Sequence, residues 1–332
     1  MRTVAIVAVE NCISSVVYGV QDIFGIANDF IKASNAYGDE HLFNPVIVGR
    51  TLDAVTSFTG AKVLPEQPID EIGDAEFVIV APIGRALGET VRASESLSAW
   101  LTAMAERGAK LCSTCTGAFL LAETGLLDGY QATTNPGRAA QFRKYYPNVD
   151  LRLERLITDS GQIICCGATY AFVDLVIYLI EKECGADIAI EVSRVLVTDK
   201  NRVDQRPYIP LQTKQFHHDQ AVRTVQERIQ KDYMKPLTLA DLAEEACVSV
   251  RNLTRRFRIA TDQTPNAYLQ AVRIDKSREL LELTDQTVED ITLSIGYEDV
   301  RSFSRLFKKQ TGLTPKTYRE RFKARDLAGQ TA

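Results

Sequence analysis

The chain has 332 residues, 39 Lys+Arg against 43 Asp+Glu, three histidines and a net charge of −4, a length that predicts two domains each able to bury its own core. Seven cysteines, an odd number without a framework spacing, exclude a disulfide scaffold and predict a reducing, cytoplasmic setting. No membrane span is predicted: the longest apolar run, near Ala171–Ile180, is interrupted by Asp174, and Val4–Val9 is too short for a signal peptide and lacks a basic lead.

The first 185 or so residues alternate strand and helix. Thr3–Val9 reads as a buried strand, followed by a helix over Val16–Ala33. Further strands are predicted at Asn44–Gly49, Phe77–Ala81, Lys110–Ser113 and Gln162–Cys165. Further helices are predicted at Glu89–Arg107, Gly117–Glu123, Gly137–Tyr146 and Thr169–Glu183. Continuous apolar strands joined by amphipathic helices predict a flavodoxin-like three-layer sandwich, with a mostly parallel sheet covered on both faces.

Within this region Leu111–Ala118 reads LCSTCTGA. A strand ends, Cys115 follows, Gly117 allows a tight bend and a helix starts at once. The spacing predicts Cys115 on a strand-to-helix elbow, exposed above the sheet at the positive end of a helix, where an anion is favoured. Cys112 and Cys115 make a C-x-x-C pair, but no second pair or partner histidine follows, so no metal is expected. Cys165-Cys166 ends another strand just before Thr169, and its end is predicted to open on the same crevice as Cys115. Core packing for Cys165 and pocket lining for Cys166 or Thr169 are both open. Asp174, alone in an apolar helix, reads first as an internal cap or ion pair, and second as a contact to a cationic ligand.

Thr198–Asp219, with two prolines, two histidines and no clear period, reads as an inter-domain linker. Beyond it the chain repeats itself. Arg251–Val272, RNLTRRFRIATDQTPNAYLQAV, matches Arg301–Phe322, RSFSRLFKKQTGLTPKTYRERF, at an offset of 50. Arg251/Arg301, Arg255/Arg305, Phe257/Phe307, Thr261/Thr311, Thr264/Thr314, Pro265/Pro315 and Tyr268/Tyr318 are identical.

Each copy carries a helix-turn-helix pattern. In the first, Leu239, Leu242, Ala243 and Ala246 line one stripe, Cys247-Val248-Ser249 makes the turn, and Ser249 caps the next helix. Leu253 and Phe257 then face inward, while Arg251, Thr254, Arg255 and Arg258 share the outward stripe. In the second, Ile291 and Ile295 precede a turn at Gly296–Asp299. Phe303 and Phe307 face inward, and Arg301, Ser304, Arg305 and Lys308 outward. The second turn is one residue longer, because Leu242 matches Ile291 at an offset of 49. Thr264-Pro265 and Thr314-Pro315 each read as an N-cap and first-turn proline. Residues 220–325 hold 20 Lys+Arg against 15 Asp+Glu and residues 1–219 hold 19 against 27, so the basic balance is local to the repeated region. That fits a phosphate-binding module of salt-sensitive affinity.

PLTLADLAEEACVS, RRF, IGYEDVRSFSRLFKKQTGLTP and YRERF together resemble the DNA-binding domain of the AraC/XylS family of bacterial transcription regulators. The resemblance implies two helix-turn-helix units joined by one long helix, here Ala267–Leu283. LCSTCTGA with the following AFLLAETGLLDG resembles the ThiJ/PfpI domain of the class I glutamine amidotransferase-like superfamily, in the GlxA-like branch fused to AraC-type modules. Catalytic members pair the elbow cysteine with a histidine after the next strand. Asn135 stands there in this chain, and asparagine is no general base near neutral pH. Many members also place a carboxylate near the start of the first long helix, where this chain has Ser14, Ser15 and Val16. His41, His217 and His218 lie elsewhere. The Ile83-Gly84 turn corresponds to where relatives hold backbone N–H groups over the elbow sulfur.

The domains expected are 1–197 for ligand sensing and dimerisation, 198–219 as linker, 220–325 for DNA binding and 326–332 as tail. The function expected is a non-enzymatic, sequence-specific transcription regulator, an activator, responding to a small metabolite, with a nitrogenous compound as the guess from relatives of this architecture. The alternative is a ThiJ/PfpI-type hydrolase or glyoxalase-like enzyme using Cys115. DNA contacts are expected from Arg251, Asn252, Thr254, Arg255, Arg258, Arg301, Ser304, Arg305 and Lys308. Ligand contacts are expected from Gly84, Cys115, Thr116, Asn135, Cys166 and Thr169. Double-stranded DNA, a small effector, RNA polymerase and a second copy of the chain are the expected partners, and no cofactor is expected.

Overall fold

The computed structural model describes residues 1–34, 37–199, 202–209 and 217–324. The chain divides into two compact units, Met1–Gln205 and Arg206–Ala332. The strands of the first unit are β1 Arg2–Val7, β2 Phe43–Gly49, β3 Val55–Thr56, β4 Lys62–Val63, β5 Gln67–Pro68, β6 Phe77–Val80, β7 Lys110–Thr114, β8 Gln131–Ala132, β9 Asp150–Leu151, β10 Ile157–Asp159 and β11 Ile163–Cys166. Seven form one sheet in the order β10-β11-β7-β6-β1-β2-β5, and β3–β4 and β8–β9 are separate short ladders. Every pairing in the large sheet is parallel except β10 with β11.

The apolar runs explain this sheet. Val4–Val7, Phe77–Val80 and Ile163–Cys166 are buried at every residue, as strands covered on both faces must be. Along β1 the side chains alternate. Val4 and Ile6 join the core under helices α1 (Ser14–Ala33) and α6 (Phe172–Val195). Ala5 and Val7 join the opposite core, with Trp100, Leu101 and Phe119. That second core carries α2 (Leu87–Arg92), α3 (Glu95–Glu106), α4 (Ala118–Ala122) and α5 (Ala139–Tyr145).

The expected helix Glu89–Arg107 is two helices, broken at Ala93–Ser94 without a proline or glycine to announce it. The helix expected from Thr169 starts at Phe172, after a 3-10 turn at Thr169–Ala171. It continues past a kink at Gly185 because Ile188, Ala189 and Val192 are buried beyond it. Asp174 forms an internal ion pair with Arg202, with Arg202 Nε 3.1 Å from Oδ1.

The second unit is helical: α7 Gln220–Asp232, α8 Leu239–Glu245, α9 Val250–Thr261, α10 Pro265–Leu283, α11 Val288–Ser294, α12 Val300–Thr311 and α13 Pro315–Phe322. Helix α7 begins within one residue of the segment read as linker. Its signal was present, since Val222, Val225 and Ile229 recur at helical spacing and are buried. Asp219 caps it through Val222 N at 3.1 Å and also takes both Arg256 donors, at 2.8 and 2.6 Å.

The sequence repeat is a repeat of contacts. Phe257 meets Tyr268 edge-on at 5.5 Å, and Phe307 meets Tyr318 at 5.3 Å. The Thr261 and Thr311 hydroxyls donate to the carbonyls of Phe257 and Phe307. Thr264 and Thr314 each cap the following helix at its third residue. The turns stay in register through the bonds Val248 N to Ala243 O and Tyr297 N to Thr292 O, so Glu298 is the inserted residue.

The first residue of each turn, Cys247 or Gly296, has positive φ, 53° and 85°. Glycine is required at 296, because a Cβ there would lie 2.5 Å from Met234 O, whereas Cys247 adopts the same left-handed backbone while exposed. We predict that Cys247→Gly stabilises the chain by up to about 1 kcal/mol, and that Gly296→Ala costs roughly 1–3 kcal/mol. Urea midpoints followed by circular dichroism test both. A second prediction concerns Asp219. The Arg256 guanidinium holds its carboxyl below the usual range of 3.8, so its contribution is present above about pH 4 and lost as pH falls through the depressed value. Asp219→Asn, which keeps a good cap, is expected to cost about 1 kcal/mol or less at pH 7, and the cost is expected to shrink as pH falls below about 4.

Candidate functional site

In the helical unit, α9 and α12 are the second helices of the two helix-turn-helix motifs. Each buries its inward pair, Leu253 with Phe257 and Phe303 with Phe307, so the opposite stripe faces outward. Arg251, Arg255, Arg258, Arg301, Arg305 and Lys308 are exposed, and none forms a salt bridge with another described residue. Asn252, Thr254 and Ser304 are half-buried beside them. The second arginine of each stripe is braced the same way: Arg255 Nη2 donates to Asn252 Oδ1 at 3.2 Å, and Arg305 Nη2 to Ser302 Oγ at 3.3 Å. The Thr254 hydroxyl bonds back to Val250 O. The N-caps differ, Ser249 for α9 and Asp299 for α12, the latter accepting from Arg301 N and Ser302 N. Two copies of one unpaired cationic stripe on one compact unit form a surface complementary to phosphate and to guanine edges.

In the α/β unit, β7 ends at Thr114 and Cys115 follows with φ 52°, a left-handed conformation uncommon for a residue that bears a side chain. Gly117 makes the elbow possible, because a Cβ there would lie 2.5 Å from Val80 O. The Cys115 sulfur lies 3.3 Å from Asn135 Nδ2, which donates to it, and 3.4 Å from Thr169 Oγ1. Asn135 Oδ1 accepts from Gly137 N at 2.8 Å, so the amide is held with its NH2 toward sulfur. The Thr134 hydroxyl donates to Cys115 O at 2.7 Å. A donor steadies charge on the sulfur, and it cannot remove the thiol proton.

Several expectations are corrected here. Cys115 is only 2% exposed, so the elbow sulfur is enclosed. The helix after it is a 3-10 turn and five residues of α4, too short to focus a full helix dipole. Gly84 does not offer its N–H to the sulfur. It donates to Asn11 O at 2.8 Å, and the Phe58 ring packs over its Cα. Thr116 turns away as well, its hydroxyl spanning Ile83 N and Ile83 O at 2.8 Å each. Cys166 is fully buried, and burial pushes its thiol well above the ordinary range, making it a neutral neighbour.

Thus Cys115, Asn135 and Thr169 come together, Cys166 closes the site from inside, and Gly84 and Thr116 are occupied elsewhere. Gln205 was missed altogether. It is 1% exposed and donates to Thr133 Oγ1 at 3.0 Å and Leu153 O at 2.7 Å, directly behind this segment. Its position in a patternless stretch gave no signal. Brief iodoacetamide treatment with mass-spectrometric mapping is expected to label the exposed Cys247 first and Cys115 at least tenfold more slowly. Equal labelling would show that the elbow opens in solution.

Residues 242–321 match the helix-turn-helix domain family, and residues 36–173 match the DJ-1/PfpI family. The chain is 31% identical over 245 residues to the HTH-type transcriptional regulator CdhR of Pseudomonas aeruginosa, covering 73% of this chain and 71% of that one. It is 29% identical over 224 residues to the HTH-type transcriptional regulator ArgR of the same organism, covering 67% and 68%. An AraC family transcriptional regulator from Pseudomonas putida shares the fold over 59% of this chain and all of its own, at a TM-score of 0.51 and 18% identity. Among the described residues no helix is long and apolar enough to cross a membrane. The chain belongs to the HTH-type transcriptional regulators that join a DJ-1/PfpI domain to an AraC-type DNA-binding module.

Proposed function

We propose that this regulator is a cytoplasmic homodimer and an activator that contacts RNA polymerase, that its two recognition helices read adjacent segments of one DNA site, and that its α/β domain binds a small effector without turning it over. The observation that carries the DNA reading is the duplicated outward stripe of unpaired cations on α9 and α12. Two such helices on one module suit successive major grooves, about 34 Å apart. Arg251, Thr254 and Arg255 serve one segment and Arg301, Ser304 and Arg305 the next, with Arg258 and Lys308 on phosphates. The bracing of Arg255 by Asn252 and Arg305 by Ser302 supports these two as base readers, since a held guanidinium loses less freedom on pairing with guanine.

Binding without turnover is supported by Asn135. Where an amidase or glyoxalase-like enzyme needs a base, this side chain presents a donor to sulfur. Cys115, Asn135 and Thr169 would contact an effector only where the enclosure over the elbow sulfur opens. Dimerisation through the α/β domain would place two copies of the DNA module on one operator, and tethering the second contact raises affinity without new interactions.

Arg255→Ala and Arg305→Ala are expected to relax sequence preference at different halves of the footprint, each by about 1–3 kcal/mol of discrimination. Footprinting and competition on operator and random DNA measure this. Equal loss on both DNAs would make the two arginines phosphate contacts and remove the base-reading assignment.

A further inference from the structure

The α/β unit holds a cavity of about 290 Å³ that is separate from the elbow cysteine, at the carboxyl ends of the adjacent strands β1 and β2. Open parallel sheets bind ligands at this edge. Val7, Ile69 and Leu97 give it an apolar floor, and Thr90 and Ser94 give it buried hydroxyls. The volume is near the lower end for ligand pockets and suits a small metabolite.

Three backbone features lie in the segments around it. Asn11, next to Glu10 on the rim, has φ 61°, and its Nδ2 donates to Thr90 Oγ1 at 3.3 Å. Ala86 opens α2 with φ 50°. The break between α2 and α3 falls on Ala93 and Ser94, both of which line the cavity. The Ser94 hydroxyl donates back to Thr90 O at 2.7 Å, so α3 begins without a side-chain cap.

The rim carries three charges. Glu10 accepts from Thr56 N at 3.2 Å, and Asp53 accepts from the Thr51 hydroxyl at 2.9 Å. Arg50 is exposed and has no partner among the described residues. The two carboxylates are engaged by their own loops, and the guanidinium is unengaged.

We propose that this cavity is a binding site for a small organic carboxylate, its apolar body on the Val7–Ile69–Leu97 floor and its carboxylate on Arg50. The assignment rests on the reading of the α/β domain as a sensor and supplies it with a site away from Cys115. A guanidinium recognises a carboxylate through two parallel N–H donors.

The test uses the full chain at constant ionic strength, with butyrate, isovalerate and benzoate and their uncharged amides as probes. Calorimetric titration and thermal unfolding are expected to show at least one of the acids binding while its amide does not. Arg50→Gln is expected to weaken that binding at least tenfold, and Ala93→Phe, which narrows the mouth, to do the same. Arg143→Gln, an exposed arginine outside the cavity, leaves it unchanged. Binding by none of the acids, equal binding of acid and amide, or binding that survives both Arg50→Gln and Ala93→Phe overturns the site. DNA affinity measured with the bound acid separates the two readings: a site that binds and leaves DNA affinity unchanged stands as a site and removes the sensor role.

Discussion

Helix α10 is the constraint on which the DNA-reading half depends. Its first part gives Tyr268, Leu269 and Val272 to a core shared with α7, α8 and α9. Its second part gives Ile274 and Leu281 to a core shared with α11, α12 and α13. A helix buried on several sides has no solvent stripe to slide along, so both helix-turn-helix units are locked to one rod. Arg273, at its middle, strengthens the lock by donating to Tyr233 O at 2.7 Å while lying over the Tyr297 ring. The spacing of the two cationic stripes is therefore set by covalent geometry and close packing, and the pair is preorganised before anything binds.

The α/β half shows the opposite relation between a motif and its use. The elbow has positive φ at Cys115 and a glycine against Val80 O, and the Asn135 amide donates to its sulfur. The loops that follow β1 and β6 are stitched together by backbone pairing. Cys12 bridges Ile83, Ile13 N donates to Pro82 O, and Phe58 N donates to Cys12 O. With that gap closed and the sulfur buried, the cavity at Val7 and Gly49 lies one strand over, above β1 and β2.

What the sequence made legible follows from the range of each interaction. The parallel sheet was readable because its strands carry continuous apolar runs such as Val4–Val7, Phe77–Val80 and Ile163–Cys166, and the helical module because two copies corroborated each other residue by residue. Helix boundaries at Thr264 and Thr314 were readable because capping is local chemistry. The enclosure of Cys115 was not, since it depends on Asn135 and Thr169, 20 and 54 residues away. Nor was the α2–α3 break, because Val91–Ser96 contains nothing that forbids a helix, and tertiary packing decided it. Asp219 looked like linker because one residue cannot announce that it will both cap a helix and pair with Arg256.

Gln205 and Arg206 are neighbours in the chain and belong to different units. Gln205 is fixed by Thr133 and Leu153, and Arg206 O accepts from Arg278 Nη2 at 3.0 Å, while its own Nη1 donates to Lys309 O at 3.0 Å. A fragment ending near residue 197 would strip Gln205 from its pocket, leaving the Gly167 Cα beside a void where the amide now packs. It would also deprive Asp174 of Arg202. Separating the two halves without damage calls for a cut after Gln205, and an isolated DNA-binding half must begin at Arg206 to retain the strap that grips α10 and the last turn of α12.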